Sequence, residues 1–287
     1  MQPISDSLNV SQRLDLKHDS PSLRWWFNDV FLLAQRNLKR MLRSPDLIFY
    51  AVVQPVVFIL MFVYVFGGAI KVPNLDYKQF LMPGIFVQTA IFAATQTGVG
   101  LADDLQKGMI DRFRSLPMAR SAVLAGRTAA DTVSVAFQTV LMLIVAILIG
   151  YRLHEGGLEA LLAFALVVAV GYAVTWIAAF AGLALKTIEA VQAALFTIVF
   201  PFVFVSSAFV PVATFDSWLQ PIARNNPVTI WANTVRVLTL GDRITESTSD
   251  LFADIPSLGN LLWVSTLWLV GILVVASFLG VRKYRQT

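Results

Sequence analysis

Residues 158–185 read "LEALLAFALVVAVGYAVTWIAAFAGLAL", and the only Asp, Glu, Lys, Arg or His among these 28 positions is Glu159, next to one end. A helix crosses the hydrocarbon layer of a bilayer with about 20 apolar residues. No water is present there, so backbone groups must be satisfied within the segment, which leaves helices and closed barrels. The stretch lacks the strict alternation of a barrel strand, so it predicts a transmembrane helix.

Comparable runs at 47–70, 81–102, 122–150, 190–210 and 259–281 predict five more spans. The run at 122–150 is long enough for its first turns to stand outside the membrane. The composition agrees. The chain is 57% hydrophobic and 14% charged, whereas roughly a quarter of a soluble domain is charged. The expected fold class is an all-α integral membrane protein with six transmembrane helices. No internal repeat or low-complexity tract stands out. There is no cysteine, so disulfide and thiol chemistry are excluded. Residues 1–45 show no isolated apolar core followed by a small-residue cleavage site, so a cleaved signal peptide is not expected.

Six spans place both termini on one side. If that side is the cytoplasm, its segments carry 16 of the 22 basic residues. The outer segments carry the other six: Lys71, Lys78, Arg152, Arg224, Arg236 and Arg243. This bias follows the positive-inside rule. It also accounts for the net charge of +4 without nucleic acid as a partner.

Residues 25–45, "WWFNDVFLLAQRNLKRMLRSP", predict an amphipathic helix. Phe27, Val30, Phe31, Ala34, Leu38, Met41 and Leu42 recur at three- and four-residue spacing. The other face is basic. Such a helix lies in the headgroup layer, and Pro45 ends it. The expected organisation is a mobile cytoplasmic N-terminus at 1–22, an interfacial helix at 23–45 and a six-span domain at 46–287. Within that domain lie a cytoplasmic loop at 103–121 and an outer region at 211–258. Residues 211–240 are too apolar for a solvated loop, yet Pro211, Pro221 and Pro227 interrupt them.

No Asp, Glu, Lys, Arg or His falls in the middle of any span; Asp103, Asp104 and Asp131 sit near inner ends. Ion-coupled transporters place such groups at bilayer depth, so that class loses weight. The neutral polar residues Gln54, Gln88, Thr89, Thr95, Gln96 and Thr97 have two readings. They bond between helices, or they line a path for a largely apolar solute. The candidate path residues are Gln54, Phe58, Gln88, Thr89, Phe92, Gln96 and Phe200. Gln54-Pro55 and Phe200-Pro201 are candidate kinks. The sequence has no phosphate-binding Gly-x-x-x-x-Gly-Lys-Ser/Thr loop, no His/Cys metal cluster and no plausible catalytic triad. No catalytic residue, metal or cofactor is therefore assigned to this chain, and energy for uphill work would come from another chain.

The segment 108–120, "GMIDRFRSLPMAR", is short, charged and amphipathic. Gly108 loosens the preceding helix. Met109, Ile110, Phe113 and Leu116 form one apolar face, flanked by Asp111, Arg112, Arg114 and Ser115, and Pro117 ends the element. About two turns of helix are unstable alone in water. The apolar face is covered either by lipid and neighbouring helices or by a soluble partner.

"DRFRSLPMAR" on this loop resembles the corresponding loop of the membrane subunits of type-two ABC exporters, especially the daunorubicin/doxorubicin-resistance branch of drug-efflux permeases. "LIFYAVVQPVVFILMFVYVFGGAI" and "FLMPGIFVQTAIF" look like that branch's first and second spans. "SWLQPIARNNPVTIWANTVRVL", residues 217–238, is similar to its Asn-Pro segment before the last span. The match covers most of 25–285. The resemblance implies two permeases, identical or homologous, paired with two cytoplasmic ATPase subunits that hold ATP and Mg. Gly108, Met109, Asp111, Arg112, Phe113, Arg114, Leu116, Pro117 and Arg120 would then belong to a coupling helix seated on the ATPase. Trp218, Asn226, Pro227 and Arg236 would belong to a re-entrant helical hairpin on the outer side. The implied cargo is hydrophobic or amphiphilic and drug-like. Lipids or lipid-linked glycans are the alternative cargo for the same machine. An importer permease would show a Glu-Ala-Ala pattern with a glycine four residues later, which this loop lacks. A channel or scaffold outside the ABC class is the remaining alternative.

Overall fold

The computed structural model describes residues 53, 55–67, 75–108, 120–241 and 255–286. Gln54, the segments expected at 1–22 and 23–45, the outer residues 242–254 and the loop residues 109–119 lie outside these.

Every regular element among the described residues is helical. Helix α1, Pro55–Val65, passes into a π-helical turn at Met61–Phe66. Four long helices are α2 (Tyr77–Gln106), α3 (Arg120–Ile149), α4 (Gly157–Leu185) and, last in the chain, α8 (Leu258–Gln286). Between α4 and α8 come α5 (Ile188–Phe204), a 3-10 turn at Val212–Thr214, α6 (Gln220–Asn225) and α7 (Pro227–Leu240). Helices α2, α3 from Leu124, α4 and α8 are long and apolar enough to cross a membrane. They coincide with the second, third, fourth and sixth expected spans. Helices α1 and α5 are shorter apolar helices.

The fifth expected span, 190–210, overshoots its helix at the C-terminal end. Its helix stops at Phe204. Pro201, inside the helix, lacks an N–H and so weakens its last turns, and side chains take over carbonyls at the helix end. Ser206 Oγ donates to Val203 O at 2.5 Å. Asn226 Nδ2 donates to Phe202 O at 2.7 Å and to Val205 O at 2.6 Å. Helix carbonyls buried at a terminus need such partners. The chain can therefore leave the helix early without stranding polar groups.

Helix α2 is the axis of the fold. Its residues from Gln79 to Ile91 are buried without interruption, and its largest interface is with α4. Small residues set the closeness of that contact. A Cβ on Gly182 would stand 2.5 Å from Gly98 O, and one on Gly98 would collide with Ala178 O. Helices in lipid gain from van der Waals contact rather than from expelling water, so small residues at a crossing let the backbones meet. Gly182→Leu should therefore destabilise the permease by about 1–3 kcal/mol, the usual range for overpacking. Gly271→Leu, where a Cβ meets nothing within 4 Å, is the control. Equal melting temperatures for the two variants would rule out the close α2–α4 crossing.

Two ends of the bundle are tied by polar contacts. At the Tyr77 end, Gln79 Nε2 donates to Gly150 O at 3.0 Å and its Oε1 accepts from Arg152 N at 3.2 Å. Tyr151 Oη donates to Thr239 Oγ1 at 2.8 Å, and His154 N donates to Thr239 O at 2.9 Å. Burial pushes the Tyr151 phenol up to about 12, opposed by the Thr239 hydrogen bond and the Arg236 charge. It is therefore neutral at physiological pH. At the Gln106 end, Leu101, Leu124, Trp176, Ala179, Leu183, Ala276 and Tyr284 bring α2, α3, α4 and α8 into one apolar cluster.

Candidate functional site

The described residues place the expected functional positions in three groups. The first is the root of the 103–121 loop. Helix α2 ends through Lys107, and Gly108 follows at φ +66°, a left-handed turn that glycine takes at no steric cost. Gly108 thus ends the helix, where the sequence reading had it only loosening. Lys107 Nζ pairs with Asp103 Oδ2 at 2.7 Å. Arg127 Nη1 pairs with Asp104 Oδ2 at 2.6 Å and its Nε with Asp131 Oδ2 at 3.1 Å. Arg120 is the first residue of α3. Met109, Asp111, Arg112, Phe113, Arg114, Leu116 and Pro117 lie outside the described residues.

The second group is a polar hub under α7. Asn226 serves two helices. Its Oδ1 accepts from Val228 N at 2.9 Å, capping α7, while its amide nitrogen caps α5. Pro227 at the first helical position loses no needed donor. The chain from Val205 to Asn226 therefore returns to the end of α5 at which it left. Ser207 N donates to Thr229 Oγ1 at 2.9 Å. Arg236, counted from sequence among outer-segment cations, is fully buried. Its Nε donates to Phe80 O at 2.9 Å. Nη1 donates to Ser207 Oγ at 2.9 Å and to Asn233 Oδ1 at 2.7 Å. Nη2 donates to Ser207 O and, at 3.3 Å, to Ala208 O. All five guanidinium donors are thus matched by five acceptors. The guanidinium carbon also lies 3.9 Å from the centre of the Phe80 ring, a favourable cation–π position. Trp218, by contrast, is 69% exposed.

The third group is aromatic. Phe58 stacks on Phe62 at 5.9 Å, Phe62 on Phe209 at 4.4 Å, and Phe209 meets Phe204 at 5.0 Å. Phe204 stacks on Phe200 at 4.1 Å, and Phe200 meets Phe196 at 4.9 Å. Six phenylalanine rings therefore run without a gap from α1 to α5. Two of them, Phe58 and Phe200, are candidate path residues, and the path reading had not linked them. On α2, Gln88, Phe92 and Gln96 share one face at four-residue spacing. Gln96 is exposed, Phe92 half-buried and Gln88 buried. Thr89 is buried one residue on, and Gln88 Oε1 has no hydrogen-bond partner among the described residues. No group of His, Cys, Asp or Glu among the described residues is arranged to hold a metal.

Sequence reasoning missed the Arg127 fork and the depth of Arg236. The i, i+4 pair of Arg127 and Asp131 was legible as a helix-surface pair. Asp104 and Arg127 are 23 positions apart, and nothing in their spacing announces the contact.

The chain is similar to known proteins over most of its length. The model of the family described as "ABC-2 type transporter" matches residues 28–240. The daunorubicin resistance ABC transporter permease protein DrrB1 of Streptomyces coeruleorubidus is 32% identical over 235 residues, 82% of this chain and 78% of that protein. The probable doxorubicin resistance ABC transporter permease protein DrrC of Mycobacterium tuberculosis is 24% identical over 270 residues, 92% of this chain and 90% of that protein. The probable multidrug ABC transporter permease YbhR of Escherichia coli is 24% identical over 171 residues, 59% of this chain and 46% of that protein. With its apolar helices of membrane-spanning length and a family match over most of its residues, this multi-pass membrane protein belongs to the ABC-2 type transporter family.

Proposed function

We propose that this chain is the permease subunit of an ATP-driven exporter of hydrophobic or amphiphilic, drug-like compounds. A separate ATPase binds ATP and Mg and supplies the energy. The observation that carries the reading is the family match over residues 28–240. Drug-resistance permeases among the relatives support the cargo class. The unbroken run of six phenylalanines supports it as well, since aromatic faces offer an apolar solute contact without fixed hydrogen bonds. Lipids or lipid-linked glycans are the alternative cargo, and their acyl chains suit the same surface.

The arrangement in the membrane follows from the charge bias. Both termini and the 103–121 loop face the cytoplasm. The Tyr77 end, with the turn at 150–156 and the hairpin of α6 and α7, faces outward. The double capping by Asn226 supports a re-entrant hairpin, because the chain comes back to the level of Val205 before α7 rises again. Exposed Trp218 suits the headgroup layer. Helices α1 and α5 complete a set of six spans. Two such permeases pair around a central path, and each seats its coupling helix on one of two ATPases.

Purification of the intact assembly tests this. The permease should bring down a nucleotide-binding partner, and native mass measurement should give two permeases with two ATPases. ATP hydrolysis should reside in the assembly and be absent from the permease alone. A pure permease that turns over ATP, or an active assembly with a single permease, contradicts the proposal.

A further inference from the structure

The loop at 103–121 leaves α2 at Gln106 and re-enters the bundle at Arg120. A force on it reaches two helix ends at once. Helices joined only by a loop can part under such a load, and the motion is then lost in the loop. Arg127 stands where that parting would begin. It lies seven residues into α3, roughly 10 Å along the axis. Its guanidinium reaches across to Asp104 on α2 and back to Asp131 on α3. The Asp131 bond, one turn further along the same helix, fixes the plane of the fork. The neighbouring nitrogen is then aimed at Asp104, a geometry that a rigid guanidinium holds and a lysine does not. The three side chains are 14–23% exposed, so the contact is better shielded than an ordinary surface ion pair.

The α2 backbone is shaped for this cation. A Cβ on Gly100 would fall on Arg127 Nη2, so the Nη2 end of the guanidinium reaches into the space that this glycine leaves open. On the same stretch of the two helices, Leu101 and Leu124 belong to the cluster that includes Trp176 and Tyr284. A rigid α2–α3 pair therefore carries α4 and α8 with it.

We propose that Arg127 is a positioning residue for energy coupling. By clamping Asp104 to Asp131 it makes the Gln106 end of α2 and the start of α3 one body, so that displacement of the loop reaches the far end of the bundle. The inference rests on the reading of 103–121 as the coupling loop.

The test uses the intact assembly in right-side-out vesicles. The chain has no cysteine, so Ser217→Cys, exposed on the hairpin beyond α5, can be labelled from outside with an impermeant fluorescent maleimide. ATP and Mg inside the vesicles should change the emission of that label. In Arg127→Ala and in Gly100→Val the change should shrink about tenfold, the scale of an ordinary coupling free energy. ATPase association and the melting temperature should hold. Gly100→Val matters because it displaces the guanidinium without removing a charge. Asp104→Arg combined with Arg127→Asp should restore the signal. A full-sized ATP response in Arg127→Ala and Gly100→Val overturns the inference. So does a loss that only follows a lowered melting temperature, which would make the fork a stabilising contact. If ATP changes nothing in the parent assembly, or no ATPase is bound, the coupling-loop reading fails and the inference falls with it.

Discussion

Arg236→Met lowers the stability of the purified permease by about 3–5 kcal/mol, the sum expected when several buried acceptors lose their donors at once. It is the largest single-residue effect expected in the fold. Arg236 is wholly buried and ties three stretches of chain together through the carbonyls of Phe80, Ser207 and Ala208. Removing it takes the guanidinium donors from those carbonyls, and each buried acceptor left without a donor costs about 1–3 kcal/mol. Methionine approximates the length of the stem but brings no donor. Arg236→Lys should fall between the two, because an ammonium has three donors and no planar fork. The exposed Arg152→Met should stay within about 0.5 kcal/mol, as substitutions away from buried networks do. Thermal melting of the four proteins in one detergent decides it. If Arg236→Met melts with Arg152→Met, the buried hub does not hold the hairpin to α2.

The reason Arg236 was unreadable from sequence is the reason it is strong. In the segment "SWLQPIARNNPVTIWANTVRVL" it reads as one of the few outer-side cations, and outer cations are ordinarily solvated. Its burial depends on Ser207 and Ala208, 29 and 28 positions away, and on Phe80, 156 positions away. No local pattern encodes that meeting. The spans, by contrast, were legible because lipid imposes a one-dimensional rule: enough apolar residues in a row make a crossing helix. Even there the rule is blind to side-chain capping. It carried the fifth span to 210, whereas Ser206 and Asn226 cap the carbonyls that let the helix end at Phe204. The candidate path shows the same division. Gln88 and Gln96 were both visible as polar residues in an apolar run. One is buried and the other exposed, and only packing against α4 and α7 separates them.

The other large effect concerns "GMIDRFRSLPMAR" and follows from the chemistry of its residues and the helix ends that flank it. If Met109, Ile110, Phe113 and Leu116 share the helical face that their spacing predicts, that face needs a cover, since so short a helix does not hold itself. The loop hangs between Gly108, which stops α2, and Arg120, which starts α3, with the Arg127 fork closing its root. A tightly rooted loop with an amphipathic tip suits a surface that another protein pushes on. If Phe113 is the anchor in an ATPase groove, Phe113→Ala should weaken ATPase association by about 2–4 kcal/mol, the range for truncating a central interface aromatic. Export should fall with it, while melting of the isolated permease stays within about 0.5 kcal/mol of the parent. Arg112→Glu should act at the rim, with an effect that grows as salt is lowered and screening weakens. If Phe113 packs instead on lipid or on its own bundle, the pattern reverses: the permease melts earlier and each folded molecule binds the ATPase normally. Partner affinity and permease melting, measured on one Phe113→Ala preparation, separate the two. Unchanged affinity would remove the coupling role from this loop. It would leave the Arg127 fork as a brace between two helices that transmit nothing.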